Sequence, residues 1–200
     1  MMRFQLGEDG WAAGVTRSPS PNFDVRADGA AVSLLVIHNI SLPPGQFGGP
    51  YIEDLFLNRL DCDAHPYFDQ LRTLRVSAHF LIRRDGEVMQ FVSANDRAWH
   101  AGASNFCGRE RCNDFSIGIE LEGTDFEAFE PRQYESLASL TLALCQRYPL
   151  ADVAGHEHIA PGRKTDPGPF FDWTHFRKSL IQKGQGEPHF SIPRFPFTAD

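Results

Sequence analysis

The residues best suited to chemistry are His38 and those of the segment GHEHIAPGRKTDPGPFF, Gly155 to Phe171. His38 directly follows the apolar run VSLLVI and precedes SLPPGQFGGP, and strand ends are where a rigid scaffold hands side chains to an accessible site. The late segment carries His156, Glu157, His158, Arg163, Lys164 and Asp166 among three prolines and three glycines. Such residues fix a loop's path and can hold side chains without regular structure. In extended backbone His156 and His158 share a face. One early imidazole with a late His/Asp pair supplies three protein ligands and leaves a fourth position open, as catalytic rather than structural zinc requires. Ligands more than a hundred residues apart have no diagnostic spacing, so the residues alone reach a His/His/Asp metal site and no further. Taken alone, a histidine in this position is more often a hydrogen-bonded structural residue than a ligand.

Glu120 adds a carboxylate. In SIGIEL, Ser116 to Leu121, strict alternation puts Ile117, Ile119 and Leu121 on one side of a strand and Ser116, Gly118 and Glu120 on the other. Gly118 leaves space beside Glu120. The carboxylate is either a solvated strand residue or a general base next to a metal-activated water.

The elements that must position these groups are those of an α/β domain. Val32 to Ile37 reads as a central strand buried on both faces and ending at His38. The Pro/Gly-dense stretch after it is loop, and Tyr51 to Leu74 carries one or two short helices. Arg75 to Ile82 and Glu87 to Val92 flank Asp85-Gly86, which fits a two-residue type I′ hairpin. Pro131 to Arg147 is the strongest helix, with Leu137, Leu140 and Leu144 on its apolar stripe. Asp172 caps a second helix reaching Gln182. The expected fold is a single α/β domain with a mixed central β-sheet flanked by helices over residues 1–183, followed by an irregular C-terminal tail, 184–200.

Composition limits the function. At 200 residues the chain suffices for one well-buried core. A net charge of −7 argues against a general nucleic-acid binder, which needs a Lys/Arg excess. The pairs Arg109/Arg111 and Arg163/Lys164 are clusters that suit an anionic ligand. No apolar run approaches the ~20 residues of a membrane span, and the start MMRFQLGEDGWAAG lacks the apolar core of a signal peptide. A cytoplasmic setting is expected, with no membrane, nucleic-acid or obligate protein partner. The four cysteines, Cys62, Cys107, Cys112 and Cys145, fit that compartment as free thiols.

The stretches VIHNISLPPGQFGGPYI, HPYF, LRVSAHFLIRRDGEV, RAWHAG, GRERCNDFSIGIELEGTD and KTDPGP resemble, in the same order, the anhydro-N-acetylmuramoyl-L-alanine amidases of bacterial cell-wall recycling. These belong to the wider zinc amidase and peptidoglycan-recognition superfamily. The resemblance runs from roughly Trp11 to Phe176. It implies a Zn²⁺ site of His38, His156 and Asp166, with Asp166 where several relatives use cysteine. It implies Glu120 and Lys164 as the catalytic pair, and it leaves His158 without a ligand role. The substrate it implies is an anhydro-muropeptide, cut between muramic acid and L-alanine. For that substrate Arg75 and Arg111 are expected to clamp stem-peptide carboxylates. Asn39 is expected to hydrogen-bond sugar or peptide, and Trp99 with His100 to face the anhydro-sugar. Two other readings remain, a non-catalytic peptidoglycan-binding module and an amidase acting on intact wall outside the cytoplasm.

Overall fold

The computed structural model describes residues 4–27 and 30–196. Its centre is a six-stranded sheet built from β1 (Thr16–Arg17), β2 (Leu34–Ile40), β3 (Phe80–Ile82), β4 (Val88–Gln90), β5 (Ser116–Glu122) and β6 (Asp152–Gly155). The order across the sheet is β6-β2-β5-β3-β4-β1. β6, β2, β5 and β3 run parallel, and only the β3/β4 pair is antiparallel. The helices are α1 (Tyr51–Phe56), α2 (Pro131–Arg147), α3 (His156–Ile159) and α4 (Trp173–Gly184). None is long and apolar enough to cross a membrane.

Alternation on the central strands separates two faces. Leu35, Ile37, Ile117, Ile119 and Leu121 join Leu137, Leu140 and Leu144 of α2 and Phe176 and Leu180 of α4 in the main core. Each leucine that is fully withdrawn from water contributes roughly 1.5–3 kcal/mol. α2 has the limits its sequence dictates, with Pro131 in the first turn. Gln133 stitches this layer to the strand ends, donating from Nε2 to the carbonyls of Ile82 and Glu122. On the opposite face, Leu34, Val36, Ala101, Cys112 and Phe115 form one cluster. The excursion 42–76 caps another through Leu42, Leu55, Phe56 and Phe68. The site lies between these two covers.

Several local expectations change. β2 does not stop before His38 but continues to Ile40, because its ladder with β5 carries on through His38 and Asn39. The β3/β4 connection is not a type I′ turn: Gly86 has φ +86° while Asp85 is not in the left-handed region. The Gly86 N–H bonds the Arg83 carbonyl and the Arg83 N–H the Glu87 carbonyl, giving a three-residue turn that ends on glycine. Both strands are shorter than predicted, and before Phe80 the Ser77 amide bonds the Trp99 carbonyl rather than β4. Finally, the late segment is helical where the two histidines occur, so His156 and His158 do not share a face. The chain beyond α4 is irregular but docked: Phe195 is buried, Phe190 and Ile192 pack on the core, and Arg194 pairs with Asp152. All four cysteines are free thiols.

Candidate active site

Parallel strands aim their carboxyl ends the same way, and ligand sites of α/β sheets gather at that edge. Here β2 delivers His38 and β5 delivers Glu120, the two being register partners. β6 ends at Gly155, so His156 emerges next as the first residue of α3. The loop after α3 returns Asp166 over the same spot, its carbonyl accepting the Glu157 N–H.

His38 Nδ1, His156 Nδ1 and Asp166 Oδ2 are mutually 3.0–3.1 Å apart. They form the one group of three such side chains with ligand geometry among the described residues. Neighbouring hydrogen bonds assign the tautomers. Ser116 Oγ gives its proton to the Cys112 carbonyl at 2.6 Å, so it accepts from His100 Nε2–H at 3.2 Å. His100 Nδ1 then accepts from His38 Nε2–H at 2.9 Å, which leaves His38 Nδ1 a bare lone pair. His156 Nε2–H donates to the Ala101 carbonyl at 3.0 Å and leaves its own Nδ1 bare. Burial holds His38 down at about 4 despite the opposing Asp166 carboxylate, so it is neutral near pH 7. Asp166 stays below the usual carboxylate range although burial acts to raise it, so it is an anion near pH 7. Three acceptors therefore face one another with no proton between them, an arrangement that a cation makes favourable. Ligands at tetrahedral angles around zinc lie about 3.3 Å apart, close to the spacing here. The donor set fits zinc.

Glu120 Oε2 is buried with no hydrogen-bond partner. Burial, then the Asp166 carboxylate, push its pKa well above the usual carboxylate range, while Lys164 opposes them. A cavity of about 390 Å³ opens here. Asn39, Trp99, His100, Glu120, His156, Lys164 and Asp166 line it, and Leu55, Phe56, Leu71 and Val76 of the excursion form an apolar wall.

Not every residue expected at the site reaches this cavity. Arg111 lies in a neighbouring cleft with Arg163 and Ser104 and pairs with Asp114. Arg75 is exposed, donating to the carbonyls of Arg72 and Leu74. The Asn39 amide is engaged by Asp125 Oδ1 and the Pro167 carbonyl. Trp99 donates from Nε1 to Asp24. His100 touches the cavity but is largely buried, its ring bonded to His38 and Ser116. His158 accepts the Gly155 N–H and packs on Trp173. Of the basic pairs, Arg163 donates to the carbonyls of Ala101 and Ala103, and Arg109 lies over the Phe115 ring. Sequence reasoning missed the apolar wall and Asp125, Arg26 and His79. No local pattern marks them, because each acts through a contact distant in sequence.

A parallel-centred sheet whose strand ends gather two bare imidazole nitrogens, a carboxylate and an unpartnered glutamate has the architecture of a metal-site hydrolase. A family model described as N-acetylmuramoyl-L-alanine amidase matches residues 28–169, and the chain belongs to that family. It is 60% identical over 184 residues to the 1,6-anhydro-N-acetylmuramyl-L-alanine amidase AmpD of Citrobacter freundii, covering 91% of this chain and 98% of that one. A crystal structure of a selenomethionine AmpD derivative superposes with a TM-score of 0.85 at 58% identity, covering 90% and 99% of the two chains. The amidase AmiD of Escherichia coli, solved in complex with the substrate anhydro-N-acetylmuramic acid-L-Ala-D-gamma-Glu-L-Lys, gives 0.55 at 28% identity, covering 87% and 65%.

Proposed function

We propose that this protein hydrolyses the amide between 1,6-anhydro-N-acetylmuramic acid and L-alanine in muropeptides released by cell-wall turnover, with one zinc ion held by His38 Nδ1, His156 Nδ1 and Asp166. The observation that carries this reading is the convergence of three bare acceptors beside the orphaned Glu120 Oε2. The names of the relatives, which act on this bond, supply the substrate. When bound, zinc supplies Lewis acidity to polarise a carbonyl and acidify water.

The chain's own groups do the rest. Glu120 accepts a proton at Oε2 from the attacking water as the water oxygen bonds the muramoyl carbonyl carbon. It then returns that proton to the alanine nitrogen as the C–N bond breaks, a role typically contributing ~10²–10⁴-fold. Lys164 presents a fixed positive charge to the oxyanion that develops on the carbonyl oxygen. The wall of Leu55, Phe56, Leu71 and Val76 excludes water from one side of the cavity. Asn39 and Trp99 contact the sugar or first peptide residue. Arg75, next in sequence to the cavity residues Leu74 and Val76, clamps a stem-peptide carboxylate, with Arg111 available only to a longer peptide reaching the adjacent cleft. A cytoplasmic recycling role fits this substrate.

The decisive experiment is release of stem peptide from an anhydro-muropeptide, compared with its reduced counterpart, on protein of measured zinc content. Faster cleavage of the anhydro form is expected. A preference for the reduced form overturns the recycling assignment, and zinc-loaded protein that binds muropeptide without cutting it is a recognition module instead.

A further inference from the structure

The Nε2–H groups of both candidate ligand histidines end on one dipeptide. His38 donates to the His100 ring nitrogen Nδ1, and His156 donates to the Ala101 carbonyl. That dipeptide lies outside regular secondary structure, so something else must hold it. The side chain of Asn113 does: its Oδ1 accepts the His100 N–H at 3.1 Å and the Ala101 N–H at 2.8 Å. A carboxamide oxygen has two lone pairs and serves both donors at once. Asn113 is itself buried, sits in the 3-10 turn Cys112–Asp114 directly before β5, and has its carbonyl fixed by Arg26 Nη1 at 3.0 Å.

We propose that Asn113 is the positioning residue of the metal cluster, aiming both ligand imidazoles through the His100-Ala101 dipeptide. The inference rests on the zinc reading above. Partners outside the coordination shell set a ligand's tautomer and ring direction, and here one oxygen controls the partners of two ligands. Nothing else bonds the His100 or Ala101 amide among the described residues. The ring of His100 is held from below by Ser116 and by the absence of a side chain at Gly118. Its backbone depends on Asn113.

The test is zinc affinity of the full chain by competition with a chelator, for wild type, Asn113→Ala and Asn113→Asp. Loss of the acceptor should weaken zinc binding roughly 10–100-fold, and aspartate, which keeps an acceptor oxygen in place, should restore most of that loss. Amide exchange in the wild type provides a check that needs no variant to fold. Zinc should slow exchange at His100 and Ala101, because a bond that supports the metal must be supported by it in return. Unchanged exchange at both amides overturns the proposal. So does a zinc-binding wild type whose alanine variant binds as tightly, or whose aspartate variant binds as weakly as alanine. A wild type with no affinity for zinc removes the metal reading itself, a different failure.

Discussion

His38 and Glu120 stand directly opposite each other in the parallel ladder of β2 and β5. One carries a bare imidazole nitrogen and the other an unpartnered carboxylate oxygen, which the proposed function gives to a metal and to water. Their roles separate in mutants. Glu120→Gln should retain zinc and lose about 10²–10⁴-fold in turnover, whereas Asp166→Ala should lose zinc and activity together. Metal content measured beside kcat distinguishes them. Equal zinc loss in both variants would make Glu120 a ligand or a structural support.

Acid should unfold the protein partly through His79. This ring is fully buried: Nδ1 accepts the Gly118 N–H and Nε2 donates to the Asp96 carbonyl. Burial, then the Arg26 guanidinium at 3.1 Å, hold it down at about 3. In the unfolded chain it titrates near 6.5. Between those values the unfolded state carries the extra proton, so its stabilisation of the fold is complete above about pH 6.5 and is lost as pH falls toward about 3. Urea midpoints of wild type and His79→Gln across this window should differ in slope, the variant being the flatter. Parallel slopes would assign the proton uptake elsewhere.

Glu122, two residues beyond Glu120, holds the loop that carries Ser41, Leu42 and Pro44 into the cavity wall. Its Oε1 accepts the Gly48 N–H at 2.7 Å and Arg83 Nη1 at 3.3 Å, and its Oε2 accepts the Arg84 N–H. Both members of the pair with Arg83 are largely buried. Glu122→Leu leaves a buried guanidinium uncompensated, which costs about 3–5 kcal/mol. The urea midpoint reads this, and the Arg83→Met/Glu122→Leu double variant should recover much of it. A fall below about 1 kcal/mol in the single variant would show the pair to be solvated.

What was legible in the sequence was information local to a segment. Pro131 and the leucine spacing set α2 to the residue, and the Ile117/Ile119/Leu121 alternation set the two faces of β5. What depended on distant partners was not. His38 and Asn39 look like the end of a strand because they are polar, yet Glu120 and Leu121 continue the ladder beside them. Asp85-Gly86 looks like a two-residue turn, but the Arg83 and Glu87 backbones close a longer one. Spacing could not choose His38, His156 and Asp166, since the two imidazoles are 118 residues apart. The family resemblance named them, and the structure brings them within 4.8 Å. Arg111, credible by charge, sits in a different cleft. The His100-Ala101-Asn113 linkage left no trace in any motif read alone.

Gly118 makes that linkage testable by packing. A Cβ there would lie 2.5–2.8 Å from the Cγ, Nδ1 and Cδ2 atoms of His100, well inside contact distance, at a position that belongs to a central strand. Gly118→Ala should therefore destabilise the fold by about 1–3 kcal/mol, the usual cost of overpacking. If the conflict is with His100, removing the ring removes the cost. The same substitution in a His100→Ala background should then be close to neutral, giving a favourable coupling between the two sites. Urea midpoints of the four proteins measure it. Additive losses would mean that the methyl group collides with something other than the imidazole supporting His38.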